Sequence, residues 1–216
     1  MQTFKRPLIN LPFVGDTATW AVMSRAKCVT LEACGPYQRR TARTRTTILT
    51  PGGPLDVSVP VHTGHALAYR DTRINYDTEW ARRIVYALQT AYNSTPFFEH
   101  FEQDYQAVFD KRHVFLWDLN IELLHLTAAL AGIDIDVDET AEFRPPADGQ
   151  EDLRIAVETK YRHRMRNYCK PSPYTQVFAE PYTDRPFTPW MSMLDLLFNM
   201  GPECRLVLRD MTDYTC

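Results

Sequence analysis

The segment from Phe187 to Cys204, FTPWMSMLDLLFNMGPEC, constrains the fold more than any other part of the chain. Thr188-Pro189 offers an N-cap hydroxyl followed by a proline that loses nothing at a first helical position. Gly201-Pro202 offers a stop, because glycine takes the left-handed angle and proline blocks continuation. Between them Trp190, Met193, Leu194 and Leu197 recur at helical spacing, so the pattern predicts a helix over 189–200 with one apolar face. Thr188, Ser192, Asp195 and Asn199 fall on the opposite stripe. A solvated helix face carries Lys, Glu and Arg, whereas these four side chains are all short. They suit either capping and interhelix contact or the lining of a site.

The chain has 216 residues, 44% of them hydrophobic and 12% aromatic, which fits one packed globular domain over 1–216. A formal net charge of −3 excludes bulk electrostatic binding of nucleic acid. Cys28, Cys34, Cys169, Cys204 and Cys216 are odd in number and form no CxxC pair, as in a reduced cytoplasmic protein. No segment has the length of a membrane span and MQTFKRPLINLPF has no signal-like apolar run, so neither membrane insertion nor a leader is expected.

Residues 7–14 read as a strand, a helix capped by Asp16 or Thr17 follows, and Cys28–Glu32 reads as a second strand. That β-α-β opening points to an α/β fold. Arg45–Thr50 and Leu55–Val61 form a hairpin about Pro51-Gly52-Gly53-Pro54. Helices are expected near 78–91, capped by Asp77 or Thr78, and near 96–109 and 114–131, the last ending at Gly132. Residues 133–137 alternate as a strand, and a Pro/Gly/acidic loop, a short helix and a Pro/Tyr-rich loop lead to the final helix. The expected fold is one compact α/β domain whose mixed sheet includes the hairpin and is covered by several helices.

Several constellations could carry chemistry. Arg43 and Arg45 share a strand face beside Tyr37, and two guanidinium forks on one face can hold phosphate or carboxylate. The alternative is a solvated basic edge that blocks strand pairing. Asn120 lies among Leu116, Leu119, Leu123, Leu124 and Thr127, so its amide is expected to be buried and to need a partner, either backbone or substrate. In YTQVF, Tyr174, Gln176 and Phe178 alternate onto one side. If that side meets the stripe of the final helix, a phenol, amides, a hydroxyl and a carboxylate converge on Asp195. His62 and His65 lack a third ligand, Asp118, Glu122 and His125 form a polar helix stripe, and Asp134, Asp136 and Asp138 lack the glycine of a calcium loop. No metal and no cofactor is expected. P-loop, dinucleotide, GxSxG and kinase signatures are missing.

Taken in order, several blocks resemble the WbqC-like family of bacterial surface-polysaccharide clusters. They are Tyr37-Gln38 with Arg43 and Arg45 before VSVPV; Asp71-Thr72-Arg73-Ile74-Asn75-Tyr76 with Trp80; Ala91-Tyr92 before Pro96-Phe97-Phe98-Glu99; Phe115-Leu116-Trp117-Asp118-Leu119-Asn120; Tyr174-Thr175-Gln176-Val177-Phe178; and LDLLFNMGPE. The chain departs from relatives at Leu8-Ile9-Asn10, where many carry a histidine, and at Thr44, Ile84 and Trp190. The resemblance implies a role in O-antigen synthesis. The expected activity is transfer of an acyl or glycyl-type aminoacyl group to a nucleotide-linked amino sugar. In that reading Asp195 is the base, Ser192, Asn199, Tyr174 and Gln176 position the amine, and Arg43 and Arg45 hold an anionic donor or diphosphate. A non-catalytic module that binds a sugar nucleotide or an assembly partner is the alternative.

Overall fold

The computed structural model describes residues 6–62 and 68–213. Strand β1 (Leu8–Ile9) leads through a loop into helix α1 (Thr17–Ala26), and β2 (Cys28–Leu31) returns parallel to β1. The Asp16 carboxylate accepts from the Thr19 amide at 2.9 Å and fixes the start of α1, while a left-handed Lys27 ends it. Far along the chain β5 (Asp136–Glu139) adds to the other side of β2, also parallel. Asp152 forms a parallel bridge to Leu8, with Leu8 N–H donating to the Glu151 carbonyl and Leu153 N–H to the Leu8 carbonyl, both at 2.8 Å. The spatial order is thus 152, β1, β2, β5. Asn10, Glu32, Thr140 and Arg154 all emerge at the carboxyl ends of this parallel arrangement.

The fold is α/β around one core, but its sheet divides where one mixed sheet was expected. Strand β3 (Arg45–Thr50) and strand β4 (Gly53–Ser58) form their own antiparallel ribbon, closed by Pro51-Gly52. Gly53, with φ 109°, pairs with Thr50 and so belongs to the strand and not to the turn. The ribbon packs against helix α2 (Trp80–Tyr92) and helix α5 (Met193–Met200) and pairs with neither β1 nor β5. Helix α2 follows Glu79 with no side-chain cap, so neither Asp77 nor Thr78 plays that part. Helix α3 (Phe98–Asp110) and helix α4 (Leu116–Ala131) complete the helical half, and Gly132 caps α4 at φ 64°. The strand expected at 133–137 lies at 136–139, and YTQVF is not a strand.

The final helix begins four residues later than the expected 189–200. Trp190 is left-handed at φ 64°, Ser192 N–H donates to the Thr47 carbonyl at 2.7 Å, and Met193 N–H donates to the Gly15 carbonyl at 3.0 Å. These bonds hold Ser192 extended between β3 and the loop before α1, so Ser192, not Thr188, is the N-cap. Gly201 does not end the helical path. A short 3₁₀ turn over 201–203 redirects it into helix α6 (Cys204–Thr212), which the sequence reading missed. Cys204, Val207, Leu208 and Met211 had the i, i+3, i+4, i+7 spacing that would have found it. Phe198 of α5 is fully buried, with Tyr92, Phe98 and Tyr105 in edge-on contact at 5.2, 5.1 and 5.6 Å. Burying such a ring contributes about 1.5–3 kcal/mol.

Candidate functional site

Two polar groupings stand out, and they differ in what they leave open. The first surrounds Asp195. Tyr92 donates its hydroxyl to Oδ1 at 2.9 Å, while Tyr174 and the Gln176 amide donate to Oδ2 at 2.6 and 2.9 Å. Gln176 also holds both backbone groups of Thr188, accepting from its N–H at 2.9 Å and donating to its carbonyl at 3.0 Å. Ser192 Oγ accepts from the Leu194 amide at 3.3 Å. Asn199 donates to the Asp195 carbonyl at 2.7 Å and accepts from the Val177 amide at 3.3 Å. Asp195 is 1% exposed, and burial pushes its carboxyl above the ordinary range against the pull of its three donors. The stripe therefore ties α5 to α2 and to the 174–188 segment. It is an interior network with its hydrogen bonds spent on the protein.

The second grouping is a cleft of about 350 Å³ at the carboxyl ends of the parallel strands. In open α/β sheets this edge is where ligands bind, because the loops that leave the strands diverge there. Asn10 follows β1, Glu32 follows β2, and Arg154 follows the segment bridged to β1. Arg154 donates from Nη1 to Glu32 at 2.9 Å and from Nη2 to Asp152 at 2.7 Å, and its guanidinium lies 5.3 Å from the Phe143 ring centroid. Glu32 is 1% exposed and its other oxygen accepts from the Cys34 and Gly35 amides, both at 3.0 Å, and from Thr140 at 2.8 Å. Glu158 accepts from the Ala42 amide at 2.7 Å and from the Asn10 amide at 3.3 Å. Burial raises the Glu158 carboxyl above its usual range, although Ala42, Arg43 and Asn10 oppose this.

The two arginines read from the sequence do not act together. Arg43 sits in the turn before β3, buried at 4%, and donates to Asn10 Oδ1 at 2.8 Å and the Pro36 carbonyl at 3.2 Å. Its guanidinium also stacks 5.0 Å from the Tyr69 ring centroid. Arg43 reaches the cleft, whereas Arg45 lies near Asp56 of β4 at 3.8 Å, away from it. Tyr37 is half-buried beside them, its phenol raised by burial and lowered in turn by Thr44 and Arg43. Asn120 is fully buried; its amide nitrogen donates to the Arg43 carbonyl at 2.8 Å and the Tyr69 hydroxyl at 2.6 Å, while its Oδ1 is buried with no partner among the described residues.

Sequence reasoning missed Glu32, Asp152, Arg154 and Glu158. Asn10 and Glu32 carried a signal, since each follows a strand of the β-α-β opening. Arg154 and Glu158 carried none, because the 144–158 segment has no periodicity to place it. Among the described residues no His/Cys/Asp/Glu cluster could hold a metal, and His65 lies outside them. No helix among them is long and apolar enough to cross a membrane.

No curated protein and no solved structure gives a significant match. A family model does, over residues 20–182, a stretch that contains Glu32, Arg43, Arg154 and Glu158 of the cleft. By that match, over most of its length, the chain belongs to the WbqC-like protein family.

Proposed function

We propose that this protein is a cytoplasmic transferase of surface-glycan synthesis, attaching an acyl or glycyl-type aminoacyl group to a nucleotide-linked amino sugar held by its amine in the Arg154 cleft. The observation that carries this reading is the charge balance inside the cleft. Glu32, Asp152 and Glu158 outnumber Arg43 and Arg154, and both guanidinium groups are already engaged. Such an interior favours an amine over a bare phosphate. Asn10, Gln38 and the Phe143 ring supply the amide groups and the flat apolar wall that suit sugar hydroxyls and a sugar face.

Glu158 is the candidate proton acceptor. Its raised carboxyl stands closer in basicity to an amine than an ordinary glutamate does. The sugar binds as its ammonium and first gives one proton to solvent; the free amine nitrogen then attacks the acyl carbon of an activated ester or thioester, and the proton it sheds on bond formation passes to Glu158. The bond from that carbon to the leaving group then breaks, and the leaving group takes the proton back. In this reading Asp195 organises the interior and is not the base.

The test is incubation with nucleotide-linked amino sugars and thioester or ester donors, followed by mass spectrometry. The expected product is the N-acylated sugar, and Glu158→Gln should lower turnover at saturating sugar about 100-fold, a loss separate from the weaker amine binding that follows when one cleft carboxylate is removed. A retained sugar nucleotide with no product under any donor class supports the non-catalytic binding module instead. Absence of amino-sugar binding defeats both.

A further inference from the structure

A groove of about 790 Å³, larger than the Arg154 cleft, lies at the other end of the parallel sheet. Its walls are the last turn of α1, the turn at 132–134 that leads towards β5, and the outer face of α6. Lys27 and Asp134 precede β2 and β5, whereas the cleft lies beyond the ends of these strands, so both places can be occupied at once.

Arg25, Lys27, Arg205 and Arg209 line the groove against one carboxylate, Asp134, on a chain whose formal charge is −3. Asp213 answers Arg25 at 3.0 Å and Arg209 at 3.8 Å, and Asp210 answers Arg209 at 3.4 Å, which leaves Lys27 and Arg205 to carry the groove's charge. Lys27 and Arg205 are exposed and have no ion-pair partner among the described residues. Arg25 needs no special account, since a cation in the last turn of a helix is favoured by the helix dipole. Arg205 does need one: it occupies the first turn of α6, where the same dipole disfavours a cation. Beside it Leu206 is 45% exposed, and Ile133 and Leu208 form an apolar floor.

We propose that this groove docks an acidic segment of a partner protein, with an apolar side chain of that segment seated on Leu206 and Ile133. The unanswered positive charge selects the acidic segment. An inorganic anion would engage the cations but leave Leu206 uncovered, and a flat lipid surface cannot enter a concave site.

The test is fluorescence anisotropy of the full chain with a labelled glutamate-rich peptide carrying one central leucine, and a lysine-rich counterpart as control. The wild type should bind the acidic peptide only, more weakly as salt rises. The Lys27→Glu/Arg205→Glu double variant should lose at least tenfold in affinity. Arg205→Glu suits the first turn of α6 and offsets Lys27→Glu at the end of α1, so the melting temperature of the double variant should stay near that of the wild type, and a loss of binding then cannot be ascribed to unfolding. Equal affinity of wild type and double variant, no binding, or equal binding of the lysine-rich peptide overturns the proposal. So does a dimer in sedimentation equilibrium that dissociates in the double variant. Binding to vesicles containing phosphatidylglycerol without binding to the peptide overturns it as well.

Discussion

Arg154 closes the carboxyl edge of the sheet by reaching Glu32, its Nη1 2.9 Å from Oε2, with side-chain exposures of 15% and 1%. Removing one partner of such a pair leaves a charge that was taken out of water without its counter-ion. Arg154→Met should therefore cost about 3 kcal/mol, the low end for a broken buried pair, because Glu32 keeps its amide and hydroxyl donors. Urea unfolding checks it, and a change under 1 kcal/mol would mean that the pair adds nothing net.

Asp195→Asn separates structure from chemistry in the interior network. Asparagine has one acceptor oxygen where Asp195 receives three donors, so its own amide must face the Tyr174 hydroxyl and the Gln176 amide. The expected cost is about 1–3 kcal/mol of stability. Transfer activity, measured well below the melting temperature, should fall no more than the folded fraction does. A hundredfold loss of turnover in a fully folded variant would return the role of base to Asp195.

Stability should respond to pH through Glu158. Its carboxyl is raised in the folded state, mainly by burial, so the folded protein holds that proton more tightly than the unfolded chain. Its contribution is fully present below the ordinary carboxylate range and is lost as pH rises through the raised value. Glu158→Gln removes this titration. The stability of the variant relative to wild type should improve steadily from the ordinary carboxylate range towards neutrality. Parallel urea midpoints for the two proteins across that window would contradict the burial assigned to Glu158.

Gly201 is held by a neighbour as well as by its backbone angle. At φ 55°, a Cβ there would stand 2.5 Å from the Phe97 ring. Gly201→Ala should cost at least 1–3 kcal/mol, an overpacking term with left-handed strain added. Phe97→Leu should relieve part of the loss in a double-mutant cycle, and a purely additive cycle would assign the whole cost to the backbone.

The sequence by itself determined helices α2, α3 and α4 and their inner faces. Trp80, Ile84 and Leu88 of α2, Leu116, Leu123 and Leu124 of α4, and the glycine stop after α4 follow from local periodicity and backbone sterics, which depend on near neighbours alone. It also carried the burial of Asn120 and the polar stripe of α5, because an amide among leucines and short side chains at helical spacing are visible in one dimension. The tertiary structure decided the rest. Ser192 displaces Thr188 as N-cap because Thr47 and Gly15, distant in sequence, bind the amides of Ser192 and Met193 and hold Ser192 extended ahead of the helix. The ribbon stands apart from the parallel sheet because α2 and α5 pack against it. Arg43 and Arg45 part company because one lies in a turn with Asn10 in reach and the other on a strand beside Asp56. The cleft joins Asn10, Glu32, Arg154 and Glu158 through parallel pairing between segments more than a hundred residues apart, which no local pattern encodes.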